Sequence, residues 1–274
     1  MDSQPSADDV RPLLRRAAAI ADLEDDGRWT IIRELHDRAD RMAFDAVGEL
    51  AGSADALERA VAVDVLGQIG SRAGRPFLEE TLPLLIDASH DGHADVTAAA
   101  VTALGHLWDP RALPAIVRQA GHRSANVRSS VAFAIPGAAG DPPSPDAIGA
   151  LIALSADPDP EARDRATFGL GSQFEDQDTE AIRDALAARL DDPDGDAAGE
   201  ALLGLAHRRD PRALPVLLAR LDDDPGNLIV EAAAELRAVE ALPALQRLKR
   251  EGWQLDDPRP SVLDDALRAC ATGR

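Results

Sequence analysis

Apolar residues recur at spacings of three and four along most of the chain, in short segments separated by Asp, Pro and Gly. Some segments, such as LPVLLARL at 214–221, place Leu along one helical face. Others, such as LERAVAVDVLGQIG at 57–70, combine small residues with a closing Leu-Gly. Because turns such as SADPDPE at 155–161 separate the two kinds of segment, the pattern predicts pairs of short amphipathic helices.

The predicted helix pairs repeat with a period in the thirties. The hexapeptide DPRALP occurs at 109–114 and again at 210–215, and weaker copies lie between and beyond these two. The aligned apolar positions are Leu82, Leu113, Ile148, Ile182, Leu214 and Leu242, at steps of 31, 35, 34, 32 and 28 residues, after a looser copy at Phe44. Since neither helix of a pair can bury its apolar stripe alone, this period predicts stacked repeats.

These repeats predict an all-α fold, an α solenoid of about seven helix pairs plus an N-terminal cap. The predicted second helices of the pairs begin near Leu57, Asp95, Asn126, Glu161 and Ala197. We expect a single domain over residues 1–274, with capping helices in 1–39, repeats in 40–250 and a C-terminal cap in 251–274. The Pro- and Gly-rich segment 137–146 is interpreted as a long loop because the period continues across it.

Composition narrows the classes of function. Aromatic residues make up 3% of the chain and Tyr is absent, which favours helix over sheet. A net charge of −20 disfavours nucleic-acid binding; it either makes a basic protein or peptide the better partner or serves only the solubility of the protein. The single cysteine, Cys270, excludes an internal disulfide framework, and a buried structural role is expected for it. The N-terminal sequence lacks signal-peptide features and no long apolar run occurs, so we expect a soluble cytoplasmic protein that binds no membrane.

The segments DPRALPAIVRQAGHRSANVRSSVAFAIP, at 109–136, and ADPDPEARDRATFGLG, at 156–171, resemble HEAT repeats of the bacterial PBS lyase HEAT-like type. The resemblance covers about residues 40–250. The family's Asp before the second helix and Arg inside it match as Asp157 and Arg163. Arg59 and Arg128 match the Arg position alone, while Thr97 and Ala198 depart from it.

The resemblance implies a right-handed superhelix whose second helices line a concave, protein-binding face. It also implies several alternative functions, because members of this family include bilin lyases, metal-dependent hydroxylases, DNA glycosylases, adaptors and toxin-neutralising partners. The fold alone does not choose among these functions.

Candidate chemistry is sparse. A di-iron hydroxylase would need repeated His-Glu pairs, and none of the six histidines precedes a Glu. A weak metal candidate is the group His90, Asp91, His93 and Asp95 in a predicted turn, where a solvated turn is the more ordinary explanation. The Asp-rich turn at 191–196 departs from a calcium loop. The sequence therefore predicts no catalytic residue, no metal and no cofactor.

Helical periodicity predicts which residues of the second helices line the concave face. The candidate binding residues are Asp64, Thr102, His106, Phe133, Arg165, Phe168, Glu200 and His207. Phe133 and Phe168 are either contact residues for a partner or fillers of gaps between repeats. Arg165 and Glu200 could equally form a solvated or inter-repeat ion pair. Trp108, at the end of a second helix, is expected to pack in the core or at its edge.

Acidic turns follow the predicted first helices, at Asp157 and Asp159, at 191–196 and at 222–224. These carboxylates either form a ridge that steers a basic partner or serve as turn and N-cap residues. The function predicted from the sequence is a non-enzymatic scaffold that binds a protein or peptide. The alternatives are a lyase-like or hydroxylase-like enzyme of the same repeat family and a toxin-neutralising partner. The sequence leaves the oligomeric state open.

Overall fold

The computed structural model describes residues 7–20, 22, 25–223, 225–253 and 261–272, and the regular elements within these ranges are all helical. The α-helices are α1 (Ala7–Ala18), α2 (Asp26–His36), α3 (Arg41–Ala51), α4 (Ala56–Leu66), α5 (Leu78–Ala88), α6 (Ala94–His106), α7 (Leu113–Arg118), α8 (Ala125–Ala138), α9 (Pro145–Leu154), α10 (Pro160–Phe168), α11 (Glu180–Ala187), α12 (Gly195–His207), α13 (Ala213–Asp223), α14 (Asn227–Leu236), α15 (Leu242–Glu251) and α16 (Ser261–Ala271).

The helices form seven consecutive pairs, from α3 with α4 to α15 with α16, after an N-terminal pair of α1 and α2. This confirms the predicted fold class, an α solenoid, and the five predicted second helices begin within two residues of the expected positions. Their starts are set by N-cap carboxylates: Asp55, Asp159 and Asp194 each accept hydrogen bonds from backbone N–H groups of the first turn.

The chain divides into two compact units, unit 1 (residues 1–147) and unit 2 (residues 148–274). In unit 1, α4 packs on α6 and α6 on α8, and α1 contacts α2, α3 and α4. In unit 2, α10 packs on α12, α12 on α14, and α14 on α16. The irregular segment before α9 is residues 139–144, which is shorter than the predicted loop because α8 continues to Ala138. That the whole chain is one domain stays a prediction, and residues 254–260, 273 and 274 of the predicted C-terminal cap lie outside the described residues.

Glycine lets neighbouring second helices approach closely, as the small-residue pattern indicates. A Cβ atom on Gly105 of α6 would lie 2.6 Å from the Cα atom of Ala134 in α8. In unit 2, a Cβ atom on Gly171 would lie 2.8 Å from the carbonyl oxygen of Glu200. Because the opposing atoms belong to the backbone, a larger residue at either position would force the helices apart.

The core of each unit consists of aliphatic side chains, including the fully buried Leu104 of α6 and Leu170 after α10. Burying a side chain of this size contributes about 1.5–3 kcal/mol. Cys270 is also buried, donates its Sγ–H to the Ala233 carbonyl, and has a pKa that burial raises to about 11. Among the helices described, none combines the length and the apolar character needed to cross a bilayer.

The two DPRALP copies build the same junction between repeats. In the first, the Asp109 carboxylate accepts from the backbone N–H of Arg111, whose guanidinium reaches back to Glu79 of α5 at 2.8 and 2.9 Å. In the second, the Asp210 carboxylate accepts from the N–H of Arg212, whose guanidinium reaches back to Asp184 of α11 at 2.7 Å.

Both junctions place the second proline of the hexapeptide inside the first turn of the following helix, where its missing N–H is tolerated. The hexapeptide therefore lies where one repeat ends and the next begins. Its arginine binds a carboxylate on the first helix of the preceding repeat.

Candidate binding face on the second helices

We define the second-helix face as the residues two and five before, and two after, the Leu or Ile that closes each second helix. Of the residues two before, Asp64, Thr102, Phe133 and Phe168 are partly or fully exposed, whereas Leu203 is buried at 6% exposure. The eight candidate residues named from periodicity are all at least partly exposed within their own unit. That this face is concave stays a prediction.

Phe133 of α8 and Phe168 of α10 are 45% and 41% exposed, high fractions for phenylalanine. In unit 1, the ring of Phe133 meets the imidazole of His106 edge-on, with ring centroids 5.5 Å apart. In unit 2, Phe168 is the last residue of α10. Each ring therefore packs only in part and leaves apolar surface on the second-helix face.

In unit 1, the polar residues of this face satisfy one another. The Asp64 carboxylate accepts from the Arg28 guanidinium at 2.8 Å, and Arg28 is only 1% exposed. His36 Nε2 lies 3.2 Å from the Asp64 carbonyl oxygen, and Gln68 Nε2 lies 3.3 Å from His106 Nδ1. Burial lowers the pKa of both His36 and His106.

In unit 2, two carboxylates on or beside this face, Glu200 and Asp164, lie in environments that disfavour their charge. The Glu200 carboxylate accepts from the Ser172 hydroxyl at 2.7 Å, and burial raises the pKa of Glu200. Asp164, one turn before Phe168, has its pKa raised to about 6 by burial and then by the charges of Asp194 and Asp196. The Arg165 guanidinium opposes the rise in the pKa of Asp164 but does not cancel it. The charges of Asp164 and Glu231 add to the rise in the pKa of Glu200.

The other candidates in unit 2 have local partners. Arg165 pairs with Glu161, one turn earlier in α10, at 2.6 Å. His207 places Nδ1 3.3 Å from the Gly171 carbonyl oxygen and 3.7 Å from the Glu175 carboxylate. The contact between Arg165 and Glu161 is of the helical (i, i+4) type, so it shows how a repeat neutralises charge within one helix.

Comparison with known proteins identifies the repeats. The sequence profile described as HEAT repeats matches residues 82–155 and 148–238, together more than half of the chain. The chain belongs to the HEAT-repeat family. This confirms the resemblance stated from the residues 109–136 and 156–171.

Solved structures agree with the assignment. The crystal structure of YibA from Escherichia coli is 26% identical, with 99% of each chain covered and a TM-score of 0.70. An engineered protein is 19% identical over 96% of this chain and 78% of its own, with a TM-score of 0.56, which shows the fold alone. Human deoxyhypusine hydroxylase in complex with glycerol is 20% identical over 97% and 96% of the two chains, but its TM-score of 0.37 supports no inference. No protein with curated function matches the sequence.

An arginine inside the second helix of a HEAT repeat here joins that repeat to the next one. Arg163 donates to the Asp157 and Pro158 carbonyls and forms a two-fold contact, at 2.8 and 2.9 Å, with the Asp192 carboxylate. Arg59 makes the same contact with Asp91 at 2.8 and 3.0 Å. In both repeats the arginine inside the second helix pairs with a carboxylate about thirty residues downstream. The sequence match of Asp157 and Arg163 to the family did not reveal this partner.

The acidic turns are in part structural. Asp159 and Asp194 are N-caps, and Asp192 is buried against Arg163. Asp222 pairs with Arg247 at 2.8 Å, and Asp224 lies outside the described residues. The carboxylates that serve as caps and inter-repeat partners are not available to a ridge, so turn and cap chemistry accounts for much of the acidic composition of these turns.

A buried arginine that sequence reasoning missed fixes the end of α10. After Phe168, residues Gly169–Gln173 form a turn of π-helix. The Arg208 guanidinium donates to the carbonyl groups of Leu170, Gly171, Phe174, Gln177 and Gly204. Burial lowers the pKa of Arg208. Because Arg208 donates to several carbonyl groups of this turn, it stabilises the turn that positions Phe168. The residues beside it, His207, Arg209 and Asp210, are all polar, so the sequence carried no signal for its burial.

The weak metal candidate is dispersed in the structure. Its members are His90, Asp91, His93 and Asp95. Asp91 is engaged by Arg59, His90 Nδ1 lies 2.9 Å from the Ile86 carbonyl oxygen, and His93 lies 3.6 Å from Asp95. Within the described ranges, no three His, Cys, Asp or Glu side chains converge on a position for a metal ion.

The expectation that Trp108 packs in the core or at its edge is wrong. Its side chain is 71% exposed, and its backbone has a φ of 56° at the end of α6. The residue turns the chain out of the helix in the left-handed conformation, which directs the indole away from the α6–α8 packing. Helical periodicity could not anticipate this direction because it does not extend past the end of the helix.

Proposed function

We propose that this HEAT-repeat protein is a non-enzymatic scaffold that binds a protein or peptide through the second-helix face, around Phe133 in unit 1 and Phe168 in unit 2. The observation that carries the proposal is the exposure of these two phenylalanines, 45% and 41%, at one repeat position of a chain with five Phe. Exposed aromatic side chains on a rigid helical surface are frequent energetic centres of interfaces.

The proposed partner is basic where it meets unit 2. Burial and then like charges raise the pKa of both Asp164 and Glu200, and the charge of Arg165 only partly offsets this at Asp164. An Arg or Lys side chain of a partner would relieve that repulsion and gain a charge-assisted hydrogen bond. The raised pKa values of Asp164 and Glu200 and the net charge of −20 both support a cationic partner.

The test compares tagged wild-type protein with Phe133→Ala and Phe168→Ala variants in affinity purification from the source cells. Loss of an interface hot spot lowers recovery of a direct partner about tenfold or more, while the folded stability changes little because both rings are already exposed. Met42→Ala is the control, since Met42 is 56% exposed and lies on α3, the first helix of its pair, away from the second-helix face. If the wild type, the two phenylalanine variants and Met42→Ala all recover every protein equally, the second-helix face is not the binding site.

The basic character of the partner is tested separately. Asp164→Asn with Glu200→Gln should weaken binding, and so should added salt, because screening reduces attraction between exposed charges. The control changes Glu235 and Glu251 to Gln, which removes two exposed carboxylates from the same unit. A partner that is lost with the phenylalanine variants but is indifferent to the Asp164 and Glu200 changes would contradict only the basic partner. The lyase, hydroxylase and toxin-neutralising alternatives stay hypotheses that rest on the family resemblance.

A further inference from the structure

A surface cavity of about 330 Å³ lies in unit 2, where α12 joins α13 and α14 joins α15. Pro211, Leu214, Leu236 and Val239 form its apolar walls, and Val239 is 56% exposed although it is a β-branched apolar residue. The volume is at the lower end of the range of small-molecule sites. The cavity is thus large enough for a short organic molecule.

Two arginines at equivalent repeat positions line this cavity. Arg209 follows α12 and Arg237 follows α14, with φ values of 48° and 50° in the left-handed region. Both side chains are exposed, and within the described part of the chain neither guanidinium forms an ion pair or hydrogen bond. By contrast Arg75, with φ of 57°, donates its guanidinium to the carbonyls of Gly67 and His106.

The backbone at these two positions favours glycine rather than arginine. Arg237 is the C-cap of α14 and Arg209 lies one residue beyond the C-cap of α12; both adopt the left-handed conformation in which Gly is the usual residue, as Gly252 is after α15. A residue with a Cβ atom is disfavoured in that conformation. Arginine at both positions therefore keeps a cation beside the cavity at the expense of backbone strain, which is the kind of outlier that marks functional sites.

The charge balance of the cavity favours an anion. Of its two carboxylates, Asp210 is 2% exposed and already receives hydrogen bonds from Arg212 and Arg183. Glu240 is exposed. Two arginines and one exposed carboxylate therefore line the cavity, in a chain whose net charge is −20. Since guanidinium groups bind carboxylates through paired hydrogen bonds, the cavity is complementary to a carboxylate, and Glu240 disfavours a doubly charged phosphate.

We propose that this cavity binds a small organic carboxylate. Arg209 and Arg237 hold the carboxylate, and an apolar chain of a few carbons lies against Leu214, Leu236 and Val239. The site goes beyond the scaffold function, because neither Phe133 nor Phe168 lines the cavity and the charge preference is opposite to that of Asp164 and Glu200.

The experiment is a titration of the ¹⁵N-labelled full chain with hexanoate, followed by NMR on backbone amides and on arginine Nε–Hε groups. Hexanoate should shift the Nε–Hε resonances of Arg209 and Arg237 and the amides of Leu236 to Glu240. Arg209→Asn and Arg237→Asn should each weaken binding about tenfold, the loss expected for one charged hydrogen-bonding group. Asn tolerates the left-handed conformation, so both variants retain the fold.

Three controls separate the site from general charge effects. Arg250→Asn removes an exposed arginine of the same unit and should leave the affinity for hexanoate unchanged. Glu240→Gln should strengthen binding about twofold, since it removes a repelling charge at an exposed position. Hexanol should bind at least tenfold more weakly than hexanoate, because it lacks the carboxylate that accepts charged hydrogen bonds.

The proposal fails if hexanoate causes no shifts at these residues, if the shifts persist in Arg209→Asn and Arg237→Asn, or if Arg250→Asn weakens binding equally. Equal shifts with hexanol would overturn the assignment of the two arginines as the carboxylate site. Equal shifts with inorganic phosphate or chloride at the same concentration would show an adventitious ion only.

Discussion

The two units satisfy their charged groups in different ways. In unit 1, the Asp64 carboxylate of the second-helix face meets the buried Arg28 guanidinium at 2.8 Å. In unit 2, Asp164 of α10 and Glu200 of α12 have raised pKa values, because burial and neighbouring carboxylates outweigh the charge of Arg165 at Asp164 and the Ser172 hydroxyl at Glu200. The same HEAT architecture therefore supports a buried ion pair in unit 1 and carboxylates with weaker charge compensation in unit 2.

The arginines in the left-handed backbone conformation show a similar contrast. Arg75 of unit 1 uses its guanidinium to bind two carbonyl groups, whereas Arg209 and Arg237 of unit 2 line a cavity. Breaking a buried ion pair is destabilising because one charge stays buried without its partner, whereas a poorly compensated charge is one that a ligand could satisfy. The proposed charged contacts with ligands therefore lie in unit 2, and the buried pair of Asp64 and Arg28 lies in unit 1.

The largest expected effect is the loss of the compensated pair in unit 1. Asp64→Ala should lower the free energy of unfolding by about 3 kcal/mol, because it leaves the buried Arg28 guanidinium without its carboxylate. Urea unfolding followed by circular dichroism measures the change. Asp45→Ala is the matched control, since Asp45 contacts Arg41 at 3.4 Å between exposed side chains. A similar loss in both variants would mean that burial of the pair does not matter.

The next effect concerns the engaged arginine of unit 1. Arg75→Gly relieves the left-handed backbone but removes hydrogen bonds to the Gly67 and His106 carbonyls. The lost charged hydrogen bonds outweigh the backbone gain, so stability should fall by about 1–2 kcal/mol. Thermal unfolding detects this, and an increase in Tm would show that the two hydrogen bonds contribute less than the strain.

A stability change of opposite sign is expected when the Asp164 carboxylate of unit 2 is removed. The pKa of Asp164 rises from 3.8 to about 6 on folding, so its ionisation destabilises the folded chain at pH 7. Asp164→Asn should therefore increase stability at pH 7 by about 1 kcal/mol, after a reduction for the partial exposure of the side chain.

The pH dependence follows from the same shift. As pH falls from about 6 to about 4, the folded state takes up the proton first, so this group ceases to destabilise the wild type. The advantage of Asp164→Asn should be full above pH 6 and vanish below pH 4. Urea midpoints of both proteins across this range measure it, with Asp191→Asn as an exposed control. An advantage that does not change with pH would contradict the role of ionisation.

The smallest effect compares Arg237 with Arg75, two arginines in the left-handed conformation. Arg237→Gly should raise stability by about 0.5–1 kcal/mol, because glycine adopts the left-handed conformation without the Cβ penalty and no described side-chain contact is lost. The opposite signs for Arg237→Gly and Arg75→Gly can be read in one thermal-unfolding series. A destabilised Arg237→Gly would show that the side chain of Arg237 has a structural partner.

The repeat period and the second helices could be predicted from the sequence because they depend on local apolar spacing and on N-cap residues such as Asp55, Asp159 and Asp194. The exposed register of Phe133 and Phe168 follows from the same periodicity. The partners of the charged residues could not be predicted in this way. Arg163 binds Asp192, which lies 29 residues downstream.

The amino-acid sequence by itself determined the helices, their period and the shared repeat position of Phe133 and Phe168, because each depends on local spacing. It did not determine that Leu203 at the same position is buried. Only the tertiary structure decided which charges are paired, that Arg208 stabilises a π-helical turn after Phe168, and that Arg209 and Arg237 line one cavity. The reason is that pairing, burial and backbone conformation at helix ends are set by neighbouring repeats, and a separation of about thirty residues carries no local signal of the distance between two side chains.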